Sequence, residues 1–172
     1  HTFGNLLITT LTEVRGDFGQ ALRTLNSLLD LQGAVYPASS EPISLLVEKP
    51  NSELILGETR ARNHPGPINT VSLRPHSPKS LPEVTAAITL ANLIVLGPGS
   101  LFTSTLPPLL VPQIRESLHT TQAKIVYVVN IMTEAGETDG FEAFDHIASL
   151  KNRLGRYPDF VVINSSEVDL VR

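Results

Sequence analysis

Two stretches decide the fold: Asn92-Leu93-Ile94-Val95-Leu96-Gly97-Pro98-Gly99-Ser100 and Lys124-Ile125-Val126-Tyr127-Val128-Val129-Asn130. Each holds a short run of consecutive apolar residues that stops abruptly at Gly or at a polar residue. Such runs are too brief for buried helices and lack the alternation of a half-exposed strand, so they read as buried parallel strands. Residues 159–163 repeat the pattern. Helical periodicity fills the gaps. Leu81, Val84, Ala87, Ile88 and Ala91 form one face behind a Ser80/Glu83 cap, and a second helical segment runs to about His119. Asp139 with Glu142 opens a third helix carrying Phe141, Phe144, Ile147, Ala148 and Leu154. Strands alternating with helices imply right-handed crossovers and an α/β fold, its parallel sheet covered on both faces.

Outward from this body the character changes. Phe3, Leu6, Leu7, Thr10, Leu11 and Val14 share a helical face that Gly16 ends. Asp17 and Gln20 have capping spacing before a second helix with Phe18, Leu22, Leu25, Leu28 and Leu29 on its stripe. Residues 35–74 form a β-rich insertion on what is otherwise a single α/β domain over 1–172. There, residues 43–48 and 53–57 read as a hairpin turned by Lys49-Pro50-Asn51-Ser52, and residues 68–73 as a further strand after the breaker Asn63-His64-Pro65-Gly66-Pro67.

Composition narrows the classes of function. The chain has 172 residues, 41% of them hydrophobic and 17% charged, enough apolar content for a packed core and against disorder. A net charge of −4 without basic clusters gives no reason to expect nucleic acid or an anionic membrane as partner. No run approaches a membrane span and no leader pattern opens the chain. Cysteine is absent, which removes disulfides and thiolate chemistry. The His residues show no H-x-x-x-H pair, so a zinc site is not expected. No G-x-S-x-G elbow supports a triad of Ser100, His146 and a carboxylate. No catalytic residue is assigned.

In open α/β sheets ligands sit beyond the carboxyl ends of the strands. After the first strand, the N–H groups of Gly99, Ser100 and Leu101 and the hydroxyls of Ser100, Thr103 and Ser104 could surround an anion; a plain strand-to-helix turn explains the same residues equally well. After the second, Asn130 could hold a base or sugar, and Glu137 and Asp139 could take ribose or sugar hydroxyls. Asp139 also reads as a helix cap, and Phe141 as a core residue rather than a stacking platform.

Three segments, His1-Thr2-Phe3-Gly4-Asn5-Leu6-Leu7, residues 97–107 (GPGSLFTSTLP) and residues 130–141 (NIMTEAGETDGF), resemble the bacterial gluconeogenesis factor family, related to the phospholactate transferase of deazaflavin cofactor synthesis. The resemblance runs in order over essentially the whole chain. It implies a Rossmann-like fold, a cytoplasmic location, binding of a nucleotide sugar of the UDP-N-acetylglucosamine type, and regulation of carbon metabolism, cell-wall supply and cell shape. It assigns Gly97, Gly99, Ser100, Thr103 and Ser104 to the phosphate side and Asn130, Thr133, Glu137, Thr138, Asp139 and Gly140 to a second ligand loop. His1, Gly4 and Asn5 fall in a segment facing the cleft from the first helix. Phe102 and Phe141 stand where the family commonly has Tyr, and Glu134-Ala135 where it has Gln-Pro. Relatives also carry, before this match, a first strand, a Gly-rich loop and an Asp-bearing loop. These residues alone are therefore expected to bind nucleotide weakly until those parts are supplied.

The leading expectation is a regulator that binds a nucleotide sugar without turnover, with no resident cofactor. The runner-up is a transferase moving a phospho-group from a nucleotide-activated donor to a deazaflavin acceptor, which would call on Mg²⁺ at carboxylates such as Glu137 and Asp139. A third reading makes residues 35–73 a protein-interaction surface. A homo-oligomer or protein partner is compatible with each.

Overall fold

The computed structural model of the chain describes residues 2–29, 32–64 and 66–166. It opens with α1 (Phe3–Arg15) and α2 (Phe18–Leu28), packed on one another. Gly16, at φ 69°, ends α1 in the left-handed conformation that a residue without Cβ adopts cheaply. The Asp17 carboxylate caps α2, accepting from the Gln20 N–H at 2.7 Å. The apolar stripes are less covered than their periodicity implies. Ala21 and Leu22 of α2 are buried, but no residue of α1 is, and Phe3 remains 81% exposed.

Residues 35–74 hold β1 (Ser44–Glu48), β2 (Leu54–Leu56) and β3 (Thr70–Arg74), an antiparallel sheet in the order β2-β1-β3. The expected hairpin pairs Val47 with Ile55, and β3 lies on the other side of β1 with Val71 opposite Val47. Leu45, Val47, Ile55, Val71 and Leu73 bury one face of this sheet. A short helix, α3 (Glu58–Asn63), stands where the β-rich reading has none. Six residues are too few to show a period. Buried Ala61 and a Glu58–Arg62 pair at 2.7 Å hold it instead.

The second half runs α4 (Pro82–Leu90), β4 (Leu93–Leu96), a π-helical turn (Leu101–Thr105), a 3-10 turn (Pro107–Leu110), α5 (Pro112–Thr120), β5 (Lys124–Val128), α6 (Ala143–Leu154) and β6 (Phe160–Val162). The three strands the sequence marks form a parallel sheet in the order β4-β5-β6. Two helix starts differ from expectation. Leu81, not Ser80, precedes α4, because Pro82 at the first position fixes the helical φ. α6 is capped by Glu142 with Asp145 in a reciprocal capping box, so Asp139 lies outside the helix.

A larger correction concerns the faces of the parallel sheet. Ile125 and Tyr127, with Ile94, Leu96 and Val161 beside them in register, pack into the core. The alternate residues do not: Leu93, Val95, Phe160 and Val162 are 57%, 54%, 58% and 51% exposed. The cause is topological. Strands taken in sequential order with right-handed crossovers place both connecting helices on one side, and only a reversal of strand order would bring helices to the other. The covered side shares one core with the antiparallel sheet, joined through Leu101, Leu106, Leu109, Val111, Ile114, Leu118, Leu150 and Leu154.

Candidate functional site

β4 ends at Leu96 and the chain turns at Gly97, φ 76°, where an added Cβ would lie 2.7 Å from the Val128 carbonyl oxygen. This glycine therefore lets the loop after β4 cross the end of β5, and the two strand-end loops meet there. Their contact is polar and specific. The Gly99 N–H donates to Asn130 Oδ1 at 2.9 Å, and the Ser100 hydroxyl to Glu134 Oε1 at 3.0 Å. Glu137 takes the Phe102 N–H on Oε2 at 3.2 Å and the Thr103 hydroxyl on Oε1 at 2.7 Å.

The second loop holds its own shape. The Glu134 N–H donates to the buried Thr138 hydroxyl oxygen at 2.9 Å, and Asp139 Oδ2 accepts the Gly136 N–H at 2.7 Å. Gly136 and Gly140 occupy left-handed positions at φ 79° and 72°. Beneath this loop Phe141 meets Phe102 edge-on at 6.1 Å and His146 at 5.6 Å between centroids. His146 Nδ1 is 3.3 Å from the Tyr127 hydroxyl, both side chains being buried.

Burial dominates the electrostatics. It raises the Glu137 pKa above the usual carboxylate range, against the pull of the Thr103 and Phe102 donors and with help from neighbouring Glu134. It pushes Tyr127 up to about 12. It lowers His146, although Asp145 and Glu134 pull the other way. A base with a depressed folded pKa contributes stability that is present above its ordinary pKa and lost as pH falls toward the folded value. Urea titrations are accordingly expected to show wild-type stability dropping on acidification below the ordinary histidine range, with His146→Gln flattening that segment. An unchanged slope would contradict the assignment.

The site residues named from sequence are placed as follows. Gly97, Gly99, Ser100, Thr103, Asn130, Glu137, Thr138, Asp139, Gly140 and Phe141 all lie in the two meeting loops or directly beneath them. Ser104 faces a groove of about 450 Å³ on the α4 side of β4, with Gly97 and Gly99, and Thr133 a recess of about 200 Å³ with Asn130 and His146. Gly4 and Asn5 lie on α1, exposed, with open space around Gly4. His1 lies outside the described residues. Three of the six donors expected at an anion are in use: the Gly99 amide, the Ser100 hydroxyl and the Thr103 hydroxyl all serve side chains of the second loop. Ser100 and His146 each have other partners than one another, and no triad forms.

Mg²⁺ takes near-octahedral oxygen shells. Both Glu137 oxygens accept protein donors, and Asp139 is turned to Gly136. Among the described residues no three acidic, His or Cys side chains gather at one point. This donor set does not fit the ion, and no step is derived through it.

A cavity of about 440 Å³ lies where Ser100 and Glu134, Ala135, Gly136 and Glu137 face Ala61, Arg62 and Ile68 of the β-rich region. Its size falls within the range of about 300–1,000 Å³ common for small-molecule sites. Sequence reading missed Ala61, Arg62 and Ile68, because nothing local connects α3 with a loop more than seventy residues on. It missed Glu134 as a wall residue for a different reason, having treated it only as a family substitution.

Fold and loop geometry together define a class: an α/β protein whose two strand-end loops close on one another beside a cavity. The family model described as 2-phospho-L-lactate transferase CofD matches residues 1–171. The chain belongs to that family. It is 37% identical over 169 residues to the gluconeogenesis factor of Bacillus subtilis, covering 98% of this chain and 53% of that protein. It is 40% identical over 155 residues to the gluconeogenesis factor of Halalkalibacterium halodurans, covering 90% and 48% respectively. A solved structure of a UPF0052-family protein from Bacillus halodurans superposes with a TM-score of 0.94 at 37% identity, covering 99% of this chain and 55% of that one. The chain thus spans about half the length of these relatives. No helix among the described residues is long and apolar enough to cross a membrane.

Proposed function

We propose that these residues form the gripping part of a regulatory protein that binds a nucleotide sugar of the UDP-N-acetylglucosamine type without turning it over. The observation that carries the reading is the convergence of the loops after β4 and β5 beside the 440 Å³ cavity. Ser100, Glu134 and Glu137 line that cavity, and hydroxyls and carboxylates are the groups that hydrogen-bond sugar hydroxyls. Ligand phosphates would take the Gly99 and Phe102 amides from Asn130 and Glu137, freeing Asn130 for base or ribose. A cytoplasmic role in carbon metabolism, cell-wall supply and cell shape belongs to the same proposal; the names of the gluconeogenesis-factor relatives support its carbon-metabolism part.

The open face of the parallel sheet and the doubled length of the relatives bear on affinity. Calorimetric titration with UDP-N-acetylglucosamine is expected to show saturable binding, with the ligand recovered intact, when the chain is joined to the unmatched half of the Bacillus subtilis relative. Residues 1–172 alone should bind at least tenfold more weakly. Asn130→Ala in the joined protein should cost about tenfold, the order of one lost hydrogen bond. Release of UDP or free sugar would overturn the reading. Equal affinity without the added half would remove the role given to the open face.

The family description favours a second reading, phospho-group transfer to a deazaflavin acceptor. Product formed from a guanine-nucleotide donor and that acceptor, dependent on added Mg²⁺, would establish it.

A further inference from the structure

No functional reading above names Lys49, yet it is the most buried charged side chain described, 3% exposed. Lysine is rarely buried without an acid beside it. Here, among the described residues, no ion pair includes Lys49. Its ammonium donates instead to three main-chain carbonyls: Gly66 O, His64 O at 3.4 Å and Gly136 O at 3.5 Å. Three donors thus meet three acceptors. The backbone that launches the side chain is itself fixed, the Lys49 N–H donating to Glu53 O and the Ser52 N–H to Lys49 O, both at 2.9 Å.

The acceptors come from two separate segments. His64 and Gly66 follow α3 in the β-rich region, while Gly136 belongs to the turn after β5 that carries Glu134 and Glu137. Carbonyl oxygens pointed at a common centre repel one another unless a cation occupies it. We infer that Lys49 positions the Glu134–Glu137 turn against the β-rich region through its charge, and so closes the 440 Å³ cavity. The inference rests on the proposed sugar-binding role of that cavity only for its consequence on affinity; the closure stands on geometry.

The test exploits the absence of cysteine from the chain. Lys49→Met keeps length without charge. Lys49→Cys, alkylated while unfolded with 2-bromoethylamine and then refolded, restores an ammonium at that position alone. Amide hydrogen exchange in the turn, at Glu137 and Thr138, is compared with that in β1 and β3. The expected result is at least tenfold faster exchange in the turn of Lys49→Met, little change in the strands, and recovery in the alkylated protein. In the protein joined to the unmatched half of the relative, affinity for UDP-N-acetylglucosamine should fall at least tenfold in Lys49→Met. Exchange that rises equally in turn and strands, or that alkylation does not restore, would overturn the inference. Should the turn respond while even wild-type protein takes no UDP-sugar, the positioning role stands and the functional proposal fails.

Discussion

Gly97→Ala is expected to lower unfolding stability by about 3 kcal/mol, a loss composed of left-handed strain of roughly 1–2 kcal/mol and an overpacking cost of similar size. The site allows neither component to relax. Gly97 sits at φ 76°, where Cβ crowds the backbone, and the atom it would meet at 2.7 Å is the Val128 carbonyl oxygen, part of a central strand. A flexible side chain could move aside; a strand paired on both edges cannot without disturbing β4 and β6. Since domains of this size have a total stability of roughly 5–15 kcal/mol, the loss is a large fraction of the whole. Urea denaturation followed by circular dichroism measures it. A midpoint within error of wild type would mean that the loop after β4 does not cross β5 as described. Gly99→Ala is the control: its Cβ would find ordinary contacts at 3.5 and 3.6 Å, and a cost below about 1 kcal/mol is expected.

Glu137→Ala should cost about 2–4 kcal/mol, because it leaves the Phe102 N–H and the Thr103 hydroxyl buried without an acceptor. Glu137→Gln keeps one acceptor oxygen, so roughly half that cost is expected. The two variants also differ from wild type in pH response. Burial raises the folded pKa of Glu137, so the folded protein holds its proton more tightly than the unfolded chain. That linkage contributes stability fully present below the unfolded carboxylate value and lost as pH rises through the folded value. The wild-type excess over Glu137→Gln should therefore shrink with rising pH across that window. An excess that grows with pH would show a carboxylate favoured in its charged form, and the electrostatic account would fail. Ligand affinity should fall in both variants, since Glu137 lines the cavity and its carboxylate is the group proposed to accept sugar hydroxyls.

How much of this was readable in advance varied with the range of the interaction involved. The strands 93–96, 124–128 and 160–162 are legible because short unbroken apolar runs mark parallel strands, although the runs do not tell that one of their faces lies open. The Asp17 cap was legible because its partner lies three residues away. The sequence places helix caps at Asp139 and Ser80, three residues and one residue ahead of the observed caps, since Glu142 with Asp145 and Pro82 offer stronger local solutions. The loops after β4 and β5 were nominated by their place at strand ends, a rule of topology. Their mutual hydrogen bonds, such as Thr103 with Glu137, link positions 34 apart and leave no local trace.

Residue order alone carries the α/β alternation and the antiparallel character of residues 35–74, through periodicity and turn residues, and the family to which the chain belongs, through the resemblance of its motifs. Folding in three dimensions adds that one face of the parallel sheet lies open, that the Thr103 hydroxyl expected at an anion is held by Glu137, and that Lys49 joins two distant segments. The physical reason is the same in each case. Residue type marks which segments are apolar, whereas which of their faces is covered and which buried donor meets which acceptor are settled when segments far apart in sequence compete for the same few ångströms.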